Sequence, residues 1–252
     1  MSRRFQVVYA IFYGVLTHMF FAISVAIMVR ALYHGLNTGW GSFHGWTACI
    51  ANALLVVQFP LIHSLMLTPW GHSLMAKAAP AGLGKDLAPT TYVLIASLQL
   101  MLAFVLWSPS GIVFIEPHGT MFWMLIPLYL ASWTFLVKAL TDAGLGLQMG
   151  YMGWLSVVRG KRPDYGSFPT HGLFRVCRHP VYLGFALVLW TSPIVTLDGV
   201  LLACAWTFYC LVGPLFKQKR YAGWYGERFA QYCASVPYML PRLRVRRDSK
   251  SD

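Results

Sequence analysis

The polar residues best suited to chemistry in this chain are concentrated between His171 and Gly184. These fourteen residues include two arginines, two histidines and a tyrosine, whereas only 11% of the whole chain is charged. Arginine binds carboxylates through paired hydrogen bonds, and histidine can donate, accept or transfer a proton near neutral pH. Pro180 has no backbone N–H and favours the first turn of a helix. We therefore predict a helix that begins at Pro180, with Arg178 and His179 at its start and free amide groups able to receive an anion.

The sequence lacks the motifs of several catalytic classes. It has no P-loop, no GxSxG, no HExxH and no paired His/Cys spacing for a metal. Its eight acidic residues mostly stand singly in loops, which disfavours hydrolysis by a carboxylate pair. Five scattered cysteines indicate reduced thiols. The remaining basic and aromatic residues suit a cofactor with a carboxylate and a flat base, because aromatic rings stack on bases and arginine binds carboxylates.

Long apolar segments must position these polar residues. The chain has 252 residues, of which 57% are hydrophobic, and its mean hydropathy is +0.56. Because soluble domains are about 25% charged, this composition predicts an all-α, polytopic membrane protein. We expect one membrane-embedded domain, 1–243, followed by a disordered basic tail, 244–252. About six spans are predicted near 6–32, 46–67, 91–108, 120–140, 181–195 and 200–216, the last two forming a hairpin around a turn at 196–199.

The distribution of basic residues predicts the orientation in the membrane. If every apolar segment crosses, the lysines and arginines at both termini and in the segments 68–90 and 138–180 fall on one side, and the opposite loops have none. Because cytoplasmic loops are enriched in these residues, we predict cytoplasmic termini and a cytosolic cofactor face, in a bacterial inner membrane. The net charge of +12 then reflects these loops and anionic lipid. The lipid bilayer is an expected partner and nucleic acid is not, while the oligomeric state stays open.

Two motifs in the last third of the chain resemble those of one group of membrane enzymes. The motifs are Arg178-His179-Pro180-Val-Tyr182-Leu-Gly184 and Tyr225-Gly226-Glu227 with Tyr232 and Val236-Pro237. Together they resemble the integral-membrane methyltransferases of the isoprenylcysteine carboxyl methyltransferase and phospholipid methyltransferase type. Other stretches are similar to the bacterial methanethiol S-methyltransferases and their NnrU-like relatives: His63-Ser64-Leu-Met66, Thr91-Tyr92, Gly172-Leu-Phe174-Arg175 and Trp190-x-x-Pro193.

The resemblance implies methyl transfer that depends on S-adenosylmethionine, to a small or lipid-soluble acceptor that arrives from the membrane between helices. A thiol sulfur is favoured, and methanethiol-like, prenylcysteine-like and phospholipid-like acceptors stay open. Arg178 would orient a carboxylate or an anionic acceptor, and His179 or His63 would accept the proton of the acceptor. No metal is implied. The implied cofactor contacts are Gly172, Phe174, Arg175, Arg178, His179, Pro180, Tyr182, Leu183, Gly184, Tyr225 and Glu227.

One pair of residues departs from the family pattern. The family usually has two adjacent glutamates eight and seven residues before the aromatic-glycine pair that begins here at Tyr225. This sequence has Lys217 and Gln218 at those positions.

Two other functions stay open. An NADPH-dependent membrane reductase of the sterol-reductase type shares the RHPxYxG region, and Lys217, Lys219 and Arg220 would suit the 2′-phosphate of NADPH. A haem-binding NnrU-like protein is the second alternative, because His18 and His63 fall inside predicted spans and would permit axial ligation.

Overall fold

The computed structural model describes residues 2–78, 82–163 and 166–240, which fold almost entirely into helices. Within these residues, five helices are long and apolar enough to cross a membrane. This confirms the prediction of an all-α, polytopic membrane protein. The helices in chain order are α1 (Arg3–Tyr33), α2 (Gly45–Met66), α3 (Pro69–Ala78), α4 (Gly84–Val105), α5 (Gly119–Asp142), α6 (Leu145–Gln148), α7 (Tyr151–Arg159), α8 (Pro180–Trp190) and α9 (Leu197–Ser235). The predicted disordered tail, 244–252, lies outside the described residues.

Helix α8 begins at Pro180, as the sequence predicts, but it is short. Its 11 residues span about 16 Å at about 1.5 Å per residue, against about 30 Å for the hydrocarbon core of a bilayer. The five longer candidates are α1, α2, α4, α5 and α9. A sixth full crossing through α8 therefore stays a prediction.

Helix α9 is much longer than the predicted span 200–216. The side chain of Thr196 accepts a hydrogen bond from the N–H of Gly199 at 2.9 Å, so the predicted turn at 196–199 is the N-terminal cap of this helix. Pro214 does not end the helix. The part of α9 before its non-helical residue Gly226 spans about 44 Å at about 1.5 Å per residue, so α9 extends beyond a single crossing of about 30 Å.

The polar segment 141–180, which lies between two predicted spans, contains short helices. Helices α6 and α7 lie in it, followed by a 3-10 helix, Gly172–Arg175. Thr90 of α4 fixes the start of α7, because its hydroxyl donates to the Gly150 carbonyl at 2.7 Å and accepts from the Trp154 N–H at 3.0 Å. A Cβ at Gly153 would overlap this hydroxyl, so a glycine lets α7 pack directly on α4.

The two ends of the helical bundle are distinct. Arg3 donates to the carbonyl of Val158 at 3.2 Å, so α1 begins beside the end of α7. At the other end, Tyr129 donates to the carbonyl of Val29 at 3.1 Å, and two short antiparallel strands, β1 (Val113–Ile115) and β2 (Val195–Thr196), pair. Because α8 starts at the end where α1 starts, we call that end of the bundle, with Arg3 and Arg178, the basic end.

Candidate active site

The start of α8 is held at the basic end by neighbours on both sides. Before α8, the N–H of Leu173 in the 3-10 helix donates to the Asp142 carboxylate at 2.8 Å, and Lys138 forms an ion pair with the same carboxylate. After α9, the returning chain places the carbonyl of Pro237 2.9 Å from the N–H of Arg178. The C-terminal segment therefore closes one side of the site and fixes the backbone of Arg178.

Gln218 of α9 joins the two polar residues at the start of α8. Its carbonyl oxygen accepts from Nη1 of Arg178 at 2.9 Å, and its amide nitrogen lies 2.8 Å from Nε2 of His179. Because an amide nitrogen can only donate, Nε2 of His179 is the acceptor in this contact, which leaves the ring proton on Nδ1. Burial, assisted by the charges of Lys217 and Arg178, lowers the pKa of His179 from 6.5 to about 3. His179 is therefore neutral near pH 7.

Two buried donors of this network have no partner among the described residues. They are Nε of Arg178 and Nδ1 of His179. A buried polar group without a hydrogen bond costs about 1–3 kcal/mol, so such groups are usually satisfied by water, an ion or a ligand. Two adjacent N–H donors suit a ligand with a carboxylate or another anionic oxygen.

Arg178 and His179 line a narrow cavity between the start of α8, the second half of α9 and the segment before the 3-10 helix. Its volume is about 10 Å³, which is room for about one water molecule. The lining residues are Phe168, Pro169, Phe174, Arg178, His179, Lys217, Gln218, Tyr221, Phe229 and Tyr232. Within the part of the chain that the structure describes, the lining combines an aromatic wall with two cations and includes no carboxylate. The chemistry of this lining fits a cofactor with a carboxylate and a flat base. The volume is far below the about 300–1,000 Å³ of small-molecule sites, so the wall must open before any cofactor can bind.

Phe168 is the centre of the aromatic wall. Its ring centroid lies 4.9 Å from that of Tyr225, 5.2 Å from that of Phe229 and 5.4 Å from that of Tyr232. The hydroxyl of Tyr232 also donates to the carbonyl of Phe174 at 2.7 Å. Four rings from two chain segments therefore pack on one side of the cavity, where aromatic side chains can stack on a planar group.

The structure brings some of the predicted site residues to this cavity. Phe174, Arg178 and His179 line it. Tyr182, one turn into α8, has its ring centroid 5.9 Å from that of His179. Tyr225 packs against Phe168 in the aromatic wall but is not itself among the lining residues. These residues come together because the 3-10 helix, the start of α8 and the second half of α9 meet at the basic end.

Other predicted site residues do not line the cavity. Arg175 and Glu227 are exposed, and the Glu227 carboxylate accepts from the side chain of Gln231 at 3.5 Å. Gly172 contacts Asp142 and Gly184 contacts Leu136, in each case at a place where a Cβ would crowd its neighbour. The N–H of Leu183 donates to the His179 carbonyl at 3.1 Å within the first turn of α8, which Pro180 begins. Gly172, Pro180, Leu183 and Gly184 therefore shape the backbone around the site and do not line it.

His63 belongs to a separate polar cluster between α2, α4 and α9. Its Nε2 lies 2.6 Å from the hydroxyl of Tyr92, and its Nδ1 is buried without a partner among the described residues. Next to it, the hydroxyls of Ser64 and Tyr209 are 3.1 Å apart. His63 is not among the lining residues of the cavity, so the structure does not bring it together with Arg178 and His179.

Several residues of the cavity were not singled out as site residues from the sequence. From the sequence, Gln218 is only a departure from the family pattern, Lys217 is that and a phosphate contact in the reductase alternative, and Phe168 is not indicated. Tyr238 was not noted as a site residue either, although its ring lies 4.9 Å from that of His179 and 5.5 Å from Cζ of Arg178. An available signal is the i, i+4 spacing of Lys217 and Tyr221, which places them on one face of α9.

The fold and the cavity define a class of protein: a polytopic helical membrane protein with a ligand site at the basic end of its bundle, lined by cations and aromatic rings. The chain belongs to the family described as "Protein of unknown function (DUF1295)", whose model matches residues 76–221. This membership, together with the relatives that follow, confirms the resemblance to the methanethiol S-methyltransferase branch.

Curated relatives match most of the chain. Methanethiol S-methyltransferase 2 of Bradyrhizobium diazoefficiens is 32% identical over 204 residues, which cover 79% of this chain and 76% of the relative. Methanethiol S-methyltransferase of Mycobacterium tuberculosis is 26% identical over 248 residues, or 92% and 95% of the two chains. Nurim of Rattus norvegicus is 28% identical over 199 residues, or 72% and 75%. No solved structure matches the chain.

Proposed function

We propose that this protein is a methyltransferase that moves a methyl group from S-adenosylmethionine to a thiol sulfur in the cavity at the start of α8. The observation that carries the proposal is the pair of buried, unpartnered N–H donors on Arg178 and His179 beside an aromatic wall. The names of the methanethiol S-methyltransferase relatives support the reaction and the acceptor class. The donor, S-adenosylmethionine, is what the family resemblance implies, and the chemistry of the lining residues fits it.

The residues of the cavity have distinct roles in this proposal. Arg178 and His179 donate hydrogen bonds to a carboxylate of the cofactor, and the side chain of Gln218 holds both donors in place. Tyr221 and Tyr232 present aromatic faces to its flat base or to its positive charge. When bound, the cofactor supplies a methyl group on a positively charged sulfur that is its own leaving group. The protein therefore needs mainly to align the acceptor and exclude water, and orientation alone can contribute about 7–11 kcal/mol.

His179 acts as a hydrogen-bond donor in this mechanism. A ring whose pKa is about 3 does not hold a proton taken from a thiol near neutral pH, because its conjugate acid is far too strong. A thiol that enters the site as a thiolate leaves its proton in the surrounding water. The cations of the cavity favour that ionised form.

We further propose that the protein lies in a bacterial inner membrane with its cavity on the cytosolic side, where a water-soluble cofactor is available. The apolar helices and the bias of basic residues toward the basic end support this placement. The bilayer and a small-molecule acceptor are then its partners.

The donor site is tested by calorimetric titration of S-adenosylmethionine into the purified, detergent-solubilised protein. Because a hydrogen bond to a charged group contributes about 1.5–3 kcal/mol, we expect Arg178→Ala and His179→Ala each to weaken binding by about 10-fold to 150-fold. Arg175→Ala is the matched control, because this arginine is three residues away and exposed. Equal affinities of the wild type and both cavity variants would refute the site.

Transfer is tested separately, with methyl-labelled S-adenosylmethionine and methanethiol. We expect labelled dimethyl sulfide from the wild type and much less from Arg178→Ala. NADPH is titrated into the same protein as a competitor. If NADPH binds and displaces S-adenosylmethionine while no thiol is methylated, the reductase alternative replaces this proposal.

A further inference from the structure

Among the described residues, those that line the cavity at the start of α8 include two cations and no carboxylate. Arg178 forms its hydrogen bond with the amide of Gln218, which is neutral and leaves the charge of the guanidinium uncompensated. Lys217 lines the same cavity. Its Nζ lies 5.3 Å from the ring centroid of Tyr221, and it forms no hydrogen bond or ion pair with any described residue. The electrostatic influence of Arg220 also reaches Lys217, which adds positive charge.

The acidic residues of the neighbouring elements do not balance these charges. Asp142 at the end of α5 is engaged by Lys138 and by the N–H of Leu173, and it is not part of the lining. Glu227 on the second half of α9 is exposed and accepts from the side chain of Gln231. The cavity is thus a region of net positive charge within the described part of the chain, and such a region favours an anionic ligand.

The proposed donor does not compensate this charge by itself. S-adenosylmethionine carries a sulfonium, an ammonium and a carboxylate, so it adds one net positive charge to a cavity that already holds Arg178 and Lys217. If Arg178 binds the carboxylate of the donor, Lys217 still has no anionic partner. The charge of a thiolate is lost when its sulfur is methylated, so a simple thiol leaves Lys217 unpaired after transfer, whereas an acceptor with a carboxylate keeps a negative charge that pairs with Lys217 throughout.

We propose that the methyl acceptor is a small thiol that carries a carboxylate, with Lys217 as the counter-ion that selects it. This inference rests on the proposed function and names the substrate class of the same site. In the reaction the thiol loses its proton to water, and its sulfur forms a bond to the methyl carbon. The bond between that carbon and the donor sulfur breaks, and its electron pair stays on the donor sulfur. Because such an acceptor does not cross lipid readily, it reaches the cavity from the water at the basic end rather than from between the helices.

The test compares mercaptoacetate, which carries a carboxylate, with 2-mercaptoethanol, which is of similar size and neutral. Binding to the full-length protein in detergent is measured by calorimetry with S-adenosylhomocysteine present, and turnover is measured with methyl-labelled donor. The variants are Lys217→Gln, which removes the charge, and Lys217→Arg, which keeps it. Lys219→Gln is the matched control, because Lys219 is exposed two residues further along α9 and does not line the cavity.

We expect the wild type to bind mercaptoacetate about tenfold or more tightly than 2-mercaptoethanol, because a charge-assisted contact replaces a neutral one. Lys217→Gln should bring this ratio to within about twofold of unity, whereas Lys217→Arg and Lys219→Gln should keep most of it. A wild-type ratio near unity, or an unchanged ratio in Lys217→Gln, would overturn the inference. If Lys217→Gln does not fold, the inference is judged on two results: the affinity ratio of the wild type and whether Lys217→Arg retains that ratio.

The two proposals fail in different ways in this experiment. Equal methylation of both thiols, without a preference in binding, would leave the methyltransferase standing and remove Lys217 as its selector. A clear preference for mercaptoacetate in binding, without methylation of any thiol, would support the anion site and contradict the proposed reaction.

Discussion

At the scale of single residues, the site depends on a histidine that its surroundings keep neutral. His179 is only 4% exposed, its Nε2 accepts from Gln218, and two cations, Arg178 and Lys217, are close enough to oppose its protonation. These contacts leave one N–H, on Nδ1, as its free hydrogen-bonding group. A neutral donor beside a cationic arginine can bind an anionic oxygen without adding a further positive charge to the cavity.

The low pKa of His179 predicts that the folded protein loses stability in mild acid. The pKa of His179 is about 3 in the folded protein and 6.5 when unperturbed, so the unfolded chain binds more protons between those values. Stability from this group is therefore fully present above about pH 6.5 and is lost as the pH falls toward 3; at pH 5 the loss is about 2 kcal/mol. Thermal unfolding in detergent at pH 7 and pH 5 should show a smaller decrease for His179→Gln than for the wild type. Because the other titrating groups are common to both proteins, parallel decreases would contradict the low pKa.

At the scale of secondary-structure elements, a break in α9 completes the site. Gly226 has φ 51° and ψ −128°, which is not helical, and the chain changes direction there. Beyond this break, Phe229 and Tyr232 pack in the aromatic wall with Phe168, and Pro237 meets the N–H of Arg178. A straight continuation of α9 would carry these residues away from the start of α8.

Replacing Gly226 by alanine should therefore destabilise the site more than an alanine elsewhere on α9. No atom lies within 4 Å of a Cβ built at Gly226, so the cost is purely conformational and amounts to about 1–3 kcal/mol. Gly223→Ala is the matched control, because Gly223 also has open space around it but keeps a helical backbone, and alanine there should be neutral or stabilising. The unfolding temperatures and affinities for S-adenosylmethionine of both variants are compared with those of the wild type. If Gly226→Ala matches Gly223→Ala in both measurements, the break has no role in holding the site.

Local features of the structure were predictable from the sequence, and features created by tertiary contact were not. The start of α8 at Pro180 was predicted, because proline favours the first turn of a helix by its own geometry. The length of α9 was not, because hydropathy falls at Lys217 although the helix continues: hydropathy reports burial in lipid and not helical conformation. Likewise Gln218 meets Arg178 only because α9 folds back on α8, across 40 positions of sequence.

Motif membership also did not predict the direction of a side chain. Arg175 and Arg178 belong to the same conspicuous stretch, yet the first is exposed and the second lines the cavity. The difference arises because Arg175 closes a 3-10 helix, whereas Arg178 is fixed through its backbone by Pro237 and through its side chain by Gln218.

At the scale of the whole molecule, the two ends of the helical bundle differ in the charged residues that they carry. The cavity lies at the basic end, next to the start of α1. At the opposite end, Asp198 accepts from the N–H of Ser110 at 2.8 Å and from its hydroxyl, and the two short strands connect the start of α9 to the segment before α5. Lysines and arginines on one side and acidic or neutral loops on the other are the pattern that orients membrane proteins, with the basic side in the cytoplasm.

The orientation is testable by cysteine labelling in intact bacteria. In a background without the five native cysteines, Asn37→Cys marks the loop after α1, and Ser2→Cys marks its start; both positions are exposed. Since α1 is long enough to cross, we expect the two positions to lie on opposite sides of the membrane. We expect a membrane-impermeant maleimide to label Asn37→Cys on intact cells and Ser2→Cys only after permeabilisation. The reverse pattern would place the cavity outside the cell, away from cytosolic S-adenosylmethionine, and so would contradict both the orientation and the assignment of the donor.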